Sequence, residues 1–136
     1  MKTYILDSYA LLTYLQKETG ADQVDELIAS ARAGTVKLLL SVINLGEVAY
    51  IVERAAGLEK ASTTLAILEA LPIDPMDVDR DQALRAARYK ATMAIAYADC
   101  FALALAEKTG GQVVTGDPEF RAAEQKVSIL WLPRNR

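Results

Sequence analysis

The chain of 136 residues is 52% hydrophobic and carries a formal charge of −3, with one cysteine and no histidine. That length and apolar content fit one domain, residues 1–136, with a good core and no spare length for a second, while Cys100 alone excludes an internal disulfide or a four-cysteine zinc site. Without histidine the Ser-His-Asp and Cys-His mechanisms are gone; G-x-S-x-G, S-x-x-K, P-loop and G-x-G-x-x-G patterns are missing too, and the acidic balance runs against a nucleic-acid binder.

Thr3 to Leu6 is a short β-rich apolar run that stops on Asp7 and resumes with helical spacing through Leu11, Leu12 and Leu15. This predicts strand, turn and helix, with Asp7 at the strand's C-terminal end, the edge beyond which open parallel α/β sheets bind ligands. The start offers no apolar leader, and no stretch approaches the roughly 18 apolar residues of a membrane span, so a cytoplasmic chain with no membrane contact is expected. After Thr19-Gly20-Ala21-Asp22, Asp22 or a neighbour is expected to cap a helix through Val24, Leu27, Ile28 and Ala31.

Residues 36–40 read as a strand, and Ser41 as the cap of a helix that turns Val42, Leu45, Val48, Ala49 and Val52 inward and carries Asn44 and Glu47. Residues 58–71 read as a further helix, and the proline-bounded residues 72–75 hold at most a short strand. Asp77, Asp79 and Asp81 have the opening spacing of a calcium loop. Gln82 stands where that loop needs glycine and Arg88 where it needs glutamate, so Asp79 reads instead as the cap, with Gln82, of a helix reaching about Lys90. Arg85, Arg88 and Lys90 give that helix a basic side, the usual mark of a solvated face.

Residues 95–106 are apolar on every side, as in a buried helix, with Asp99 the exception. Gly110-Gly111 ends that helix, residues 112–115 read as a strand, and Asp117 and Pro118 take the N-cap and first position of a following helix. Residues 127–132 form the last expected strand before a polar tail. The alternation predicts the α/β class, with a mostly parallel sheet and helices on both faces.

Four acids carry the chemistry. Asp7 and Asp117 read equally well as helix caps, and Glu47 is compatible with plain exposure. Asp99 is harder to dismiss, because an ionised carboxylate among apolar side chains costs several kcal/mol, roughly, unless it is paired or metal-bound. Its neighbours at helical spacing are Ile95, Ala96, Ala102 and Leu103, none of them basic. A doubly wound sheet would put Asp7 and Asp117 at one edge, with Glu47 and Asp99 entering from adjacent helix starts. Carboxylates about 4 Å apart repel by about 4 kcal/mol at an effective dielectric near 20, so cations are expected. An all-oxygen donor set without histidine or thiolate favours Mg²⁺ or Mn²⁺, which suits phosphodiester hydrolysis.

Four segments then resemble a known family: Leu6-Asp7-Ser8-Tyr9-Ala10-Leu11-Leu12, Ser41-Val42-Ile43-Asn44-Leu45-Gly46-Glu47-Val48, Tyr97-Ala98-Asp99-Cys100-Phe101-Ala102-Leu103-Ala104-Leu105-Ala106 and Val113-Val114-Thr115-Gly116-Asp117-Pro118-Glu119-Phe120. In order and spacing they are similar to the PIN-domain ribonucleases, and within these to VapC toxins of toxin–antitoxin pairs. The resemblance implies a five-stranded parallel sheet, a Mg²⁺- or Mn²⁺-dependent endoribonuclease acting on RNA, a homodimer, and a small VapB-like antitoxin as partner. It also implies that Asp7, Glu47, Asp99 and Asp117 are the catalytic metal ligands, that Ser8 and Thr115 support them through their hydroxyls, and that Asn44 lines the site. Ala96 departs from the pattern, since relatives often carry serine there, and a cap or supporting contact is expected to be lost. Two other readings remain: a phosphoacceptor receiver domain, which would want paired acids after the first strand and a lysine near the last, and a catalytically silent PIN scaffold acting as a binding module.

Overall fold

The computed structural model describes residues 1–134; residues 135 and 136, the end of the expected polar tail, lie outside them. Its elements in chain order are β1 (Lys2–Leu6), α1 (Ser8–Leu15), α2 (Ala21–Arg32), β2 (Val36–Ser41), α3 (Val42–Ala56), α4 (Leu58–Glu69), β3 (Asp74–Met76), α5 (Arg80–Thr92), α6 (Tyr97–Thr109), β4 (Gln112–Thr115) and β5 (Ile129–Trp131), with a short 3₁₀ helix, Pro118–Ala123, between the last two strands. The strands pair in the order β3-β2-β1-β4-β5, and every pairing is parallel, so the expected mostly parallel sheet is wholly parallel.

The chain fills both faces of this sheet, which is why its strands are runs of apolar residues without polar alternation. Ile5, Leu39 and Val113 face α5 and α6, whose Ala86, Leu103 and Ala104 complete one core. Tyr4, Leu6, Leu38, Leu40 and Val114 face the opposite way, against Leu11 of α1, Val24 and Ile28 of α2, Val48 of α3 and Leu68 of α4. Ile5, Leu6, Val113 and Val114 are fully buried, and each such side chain contributes about 1.5–3 kcal/mol of hydrophobic stabilisation. α6 is buried continuously from Asp99 to Ala106, as its apolar run predicts, while both its ends are exposed.

Local signals placed most helix starts. Ser41 accepts from the Ile43 amide at the head of α3, and Asp79 Oδ1 accepts from the Gln82 amide at 2.9 Å at the head of α5, as the cap reading expects. On α5, Arg85 is tied to Asp81 and Glu107, and Lys90 Nζ donates to the Ile95 carbonyl, so part of the basic side is already neutralised or engaged.

Several boundaries differ from expectation, among them α6, which starts at Tyr97 where the apolar run starts at Ile95, and β3, which reaches Met76. Of Asp22 and its neighbours, the residue that caps α2 is Gly20, at φ +103 and with no side-chain bond. A β-carbon at Gly20 would lie 3.1 Å from the Pro133 carbonyl oxygen, so the close return of the C-terminal segment governs that turn. β5 is confined to residues 129–131; Val127 is buried in the core but precedes the ladder. The helix after Asp117 is a single 3₁₀ segment.

Candidate active site

The parallel order brings the C-terminal ends of β1 and β4 side by side, with Leu6 opposite Val114. The chain leaves β1 directly into α1, and Asp7 caps that helix: Oδ1 accepts from the Ala10 amide at 2.8 Å. Asp7 is only 1% exposed, and its Oδ2 is buried without a hydrogen bond of full geometry, although the Thr115 hydroxyl lies close enough to the carboxylate to favour its charge. The cap reading and the ligand reading are therefore compatible, since one oxygen serves the helix and the other is spare.

β4 ends on Thr115, whose Oγ1 accepts from the Asp117 amide at 3.0 Å. Asp117 Oδ1 in turn accepts from the Glu119 amide at 2.9 Å, capping the 3₁₀ helix that Pro118 opens. Tyr9 shapes this turn from outside. Its ring lies against Gly116 so closely that a β-carbon there would fall 2.9 Å from Tyr9 Cζ.

Glu47 projects from the second turn of α3, where the Ser8 hydroxyl of α1 donates to its Oε1 at 2.5 Å. Asn44, fully buried one turn earlier, donates through Nδ2 to Ser8 Oγ at 3.3 Å and to the Ala98 carbonyl at 3.2 Å, joining α1, α3 and α6. Asn44 Oδ1 has no partner. Asp99 enters from the first turn of α6, a position that suits a carboxylate electrostatically. The N-cap of α6 is Ala96, which offers no side-chain bond, as its departure from the family pattern predicts.

These acids feel one another. Burial pushes Asp99 up to about 8, and the charges of Asp7, Asp117, Glu47 and Glu119 add to the rise. Burial likewise raises Asp7 to about 7; the Thr115 hydroxyl and the Ala10 amide oppose the shift, while Asp117 and Glu47 reinforce it. Carboxylate oxygens of Asp99, Asp117 and Glu119 come within 4.8 Å of one another. Glu119 is the acid that sequence reasoning missed. Its signal was present, two residues beyond Asp117 across Pro118, but an exposed glutamate in a first helical turn looks like any other until α6 is packed beside it.

The donors fit a hard divalent cation: oxygens only, one of them buried and orphaned on Asp7, in a cluster that resists full ionisation without positive charge. The PIN domain family model matches residues 4–126. The chain belongs to the PIN domain family.

Solved structures resemble this PIN domain over almost its full length. VapBC2 from Rickettsia felis bound to a promoter DNA fragment matches with a TM-score of 0.76 at 16% identity, over 96% of this chain and 99% of that one. DNA-bound VapBC from Salmonella typhimurium matches with a TM-score of 0.72 at 20% identity, over 96% and 98% of the two chains. VapC20 of Mycobacterium tuberculosis, described as a toxin that cleaves the sarcin-ricin loop, matches with a TM-score of 0.63 at 18% identity, over 88% and 94%. No curated protein matches the sequence significantly. At these identities the likeness shows the fold. Among the described residues no helix is long and apolar enough to cross a membrane.

Proposed function

We propose that this PIN domain is a metal-dependent endoribonuclease that hydrolyses RNA phosphodiester bonds at the acidic edge of its sheet. The observation that carries the reading is the convergence of Asp99, Asp117 and Glu119, to whose charges the buried Asp7 is coupled through Asp99 and Asp117. In this reading Asp7, Glu47, Asp99 and Asp117 hold Mg²⁺ or Mn²⁺. A cation of this kind supplies a nucleophile near neutral pH and neutralises the charge that gathers on the leaving oxygen.

The chain's own residues prepare that chemistry. The Ser8 hydroxyl holds Glu47 in one orientation, and Asn44 fixes Ser8 against α6. Thr115 pins the turn that aims Asp117. Burial of Asp7 and Asp99 keeps the carboxylates out of bulk water, so their attraction for a cation is less screened. With no histidine in the chain, no imidazole acts as general base.

The VapBC complexes among the structural neighbours support a biological setting as the toxin of a toxin–antitoxin pair with a VapB-like antitoxin as partner; a cytoplasmic homodimer is part of the same reading. The test is cleavage of a mixed RNA pool by the purified protein with Mg²⁺, Mn²⁺ or EDTA, beside Asp99→Asn. Cleavage that requires both metal and Asp99 supports the assignment, and an unchanged rate in Asp99→Asn sinks it.

A further inference from the structure

The acidic cluster explains how a phosphate is attacked but not how an acidic protein of charge −3 keeps hold of a polyanion. α3 offers an answer on the face it turns outward. Ile43, Glu47, Tyr50 and Arg54 recur at helical spacing along one stripe that starts at the cluster with Glu47. Ile43 and Tyr50 on that stripe are 36% and 49% exposed, although both are large and apolar-bodied.

The Arg54 guanidinium lies over the Tyr50 ring, 5.3 Å from its centroid, so ring and cation are presented together on this face. Arg54 is seven residues from Glu47, or roughly 10 Å along the helix at 1.5 Å per residue. Gly46 lies beside this stripe in the helix interior, where glycine is destabilising relative to alanine. Its φ is not positive, and a β-carbon there would meet nothing within 4 Å. Neither backbone conformation nor internal packing requires glycine at this position, and the missing side chain leaves the helix surface open to a close approach from outside.

We propose that this outer face of α3 is the surface along which single-stranded RNA leaves the acidic cluster, with Tyr50 stacking a base, Arg54 meeting a phosphate and Gly46 leaving room for the backbone between them. The inference rests on the endoribonuclease reading above and names where that substrate lies. An aromatic ring beside a cation is the combination that binds single strands with little sequence preference, and it requires bases free to unstack from their neighbours. Glu53, three residues after Tyr50 and seven after Gly46, lies on the Gly46 side of this stripe.

The experiment is steady-state cleavage of a fluorescein-labelled mixed-sequence single-stranded RNA by the Mg²⁺-loaded protein, with a thermal melt of each variant. Tyr50→Ala is expected to raise KM about tenfold with kcat within about twofold of wild type, and Tyr50→Phe to restore KM. Arg54→Ala is expected to raise KM and to weaken its dependence on salt. Gly46→Ala is expected to raise the melting temperature while raising KM, a pairing that a purely structural glycine would not show. Unchanged KM in Tyr50→Ala and Arg54→Ala overturns the inference and leaves the face to a protein partner, while wild-type cleavage keeps the ribonuclease reading standing. Wild-type protein that neither binds nor cleaves the RNA overturns both.

Discussion

The Ser8 hydroxyl donates to the Glu47 carboxylate across 39 positions of sequence, joining the first turn of α1 to the second turn of α3. Ser8 also accepts from Asn44, so one hydroxyl orders two neighbours. Ser8→Ala is expected to leave the fold intact while freeing Glu47. For side chains that orient metal ligands, such losses run to about 10–100-fold in metal affinity or activity. Calorimetric titration with Mn²⁺ beside cleavage rates checks this; Mn²⁺ affinity and activity both equal to wild type would contradict it.

Asp99→Asn separates stability from activity. The wild-type carboxylate is held well above its ordinary range by burial and by four neighbouring acids, so its ionised form strains the metal-free fold. The neutral isostere is expected to melt above the wild type at pH 8 in EDTA while losing metal-dependent cleavage. A lower melting temperature under those conditions would show that Asp99 is satisfied by a contact other than a cation.

The pH dependence follows with a definite sign. Asp7 and Asp99 titrate at about 7 and about 8 in the fold, against an ordinary value of 3.8, so the folded state holds protons that the unfolded chain has released. Metal-free stability is therefore fullest below about pH 4 as far as these groups are concerned, and is lost as pH rises through 7 and 8. Added Mn²⁺ displaces those protons, so its stabilising effect is expected to grow from pH 5 to pH 8. Melting curves with Mn²⁺ and with EDTA across that range measure it; a Mn²⁺ effect independent of pH would place the ion elsewhere.

Gly116 and Tyr9 form a steric pair. Gly116→Ala drives a β-carbon into the Tyr9 ring and is expected to cost about 1–3 kcal/mol, with the Asp117 turn displaced. Tyr9→Ala in the same chain removes the clash, so the double variant is expected to be more stable than the sum of the singles implies. Urea denaturation of the four proteins gives the coupling, and strict additivity would rule out the contact.

Much of the fold was legible because its cues are short-ranged. The apolar runs of β1, β2 and β4, the caps at Asp7, Ser41, Asp79 and Asp117, and the all-round apolar α6 are each written within a few residues. The same local reading put Asp7 and Asp117 at strand ends and left Asp99 as the one acid in a buried helix. Hydrophobic period and cap chemistry are properties of neighbouring residues, so they survive without knowledge of the rest of the chain.

The remainder depended on contacts between distant segments. Nothing within β1 or β4 says that Leu6 lies opposite Val114, yet that register sets Asp7 beside the Thr115–Asp117 turn. Nothing in the sequence around Glu119 says that α6 will carry Asp99 next to it, or that Tyr9 will cross Gly116. That the cap among the neighbours of Asp22 is Gly20 depends on a turn with positive φ, packed against the returning segment at Leu132 and Pro133. Strand order and helix docking are chosen by the burial of both sheet faces at once, an energy summed over the whole chain. The spare oxygen on Asp7 and the exposed stripe of α3 became visible only after that sum had been satisfied.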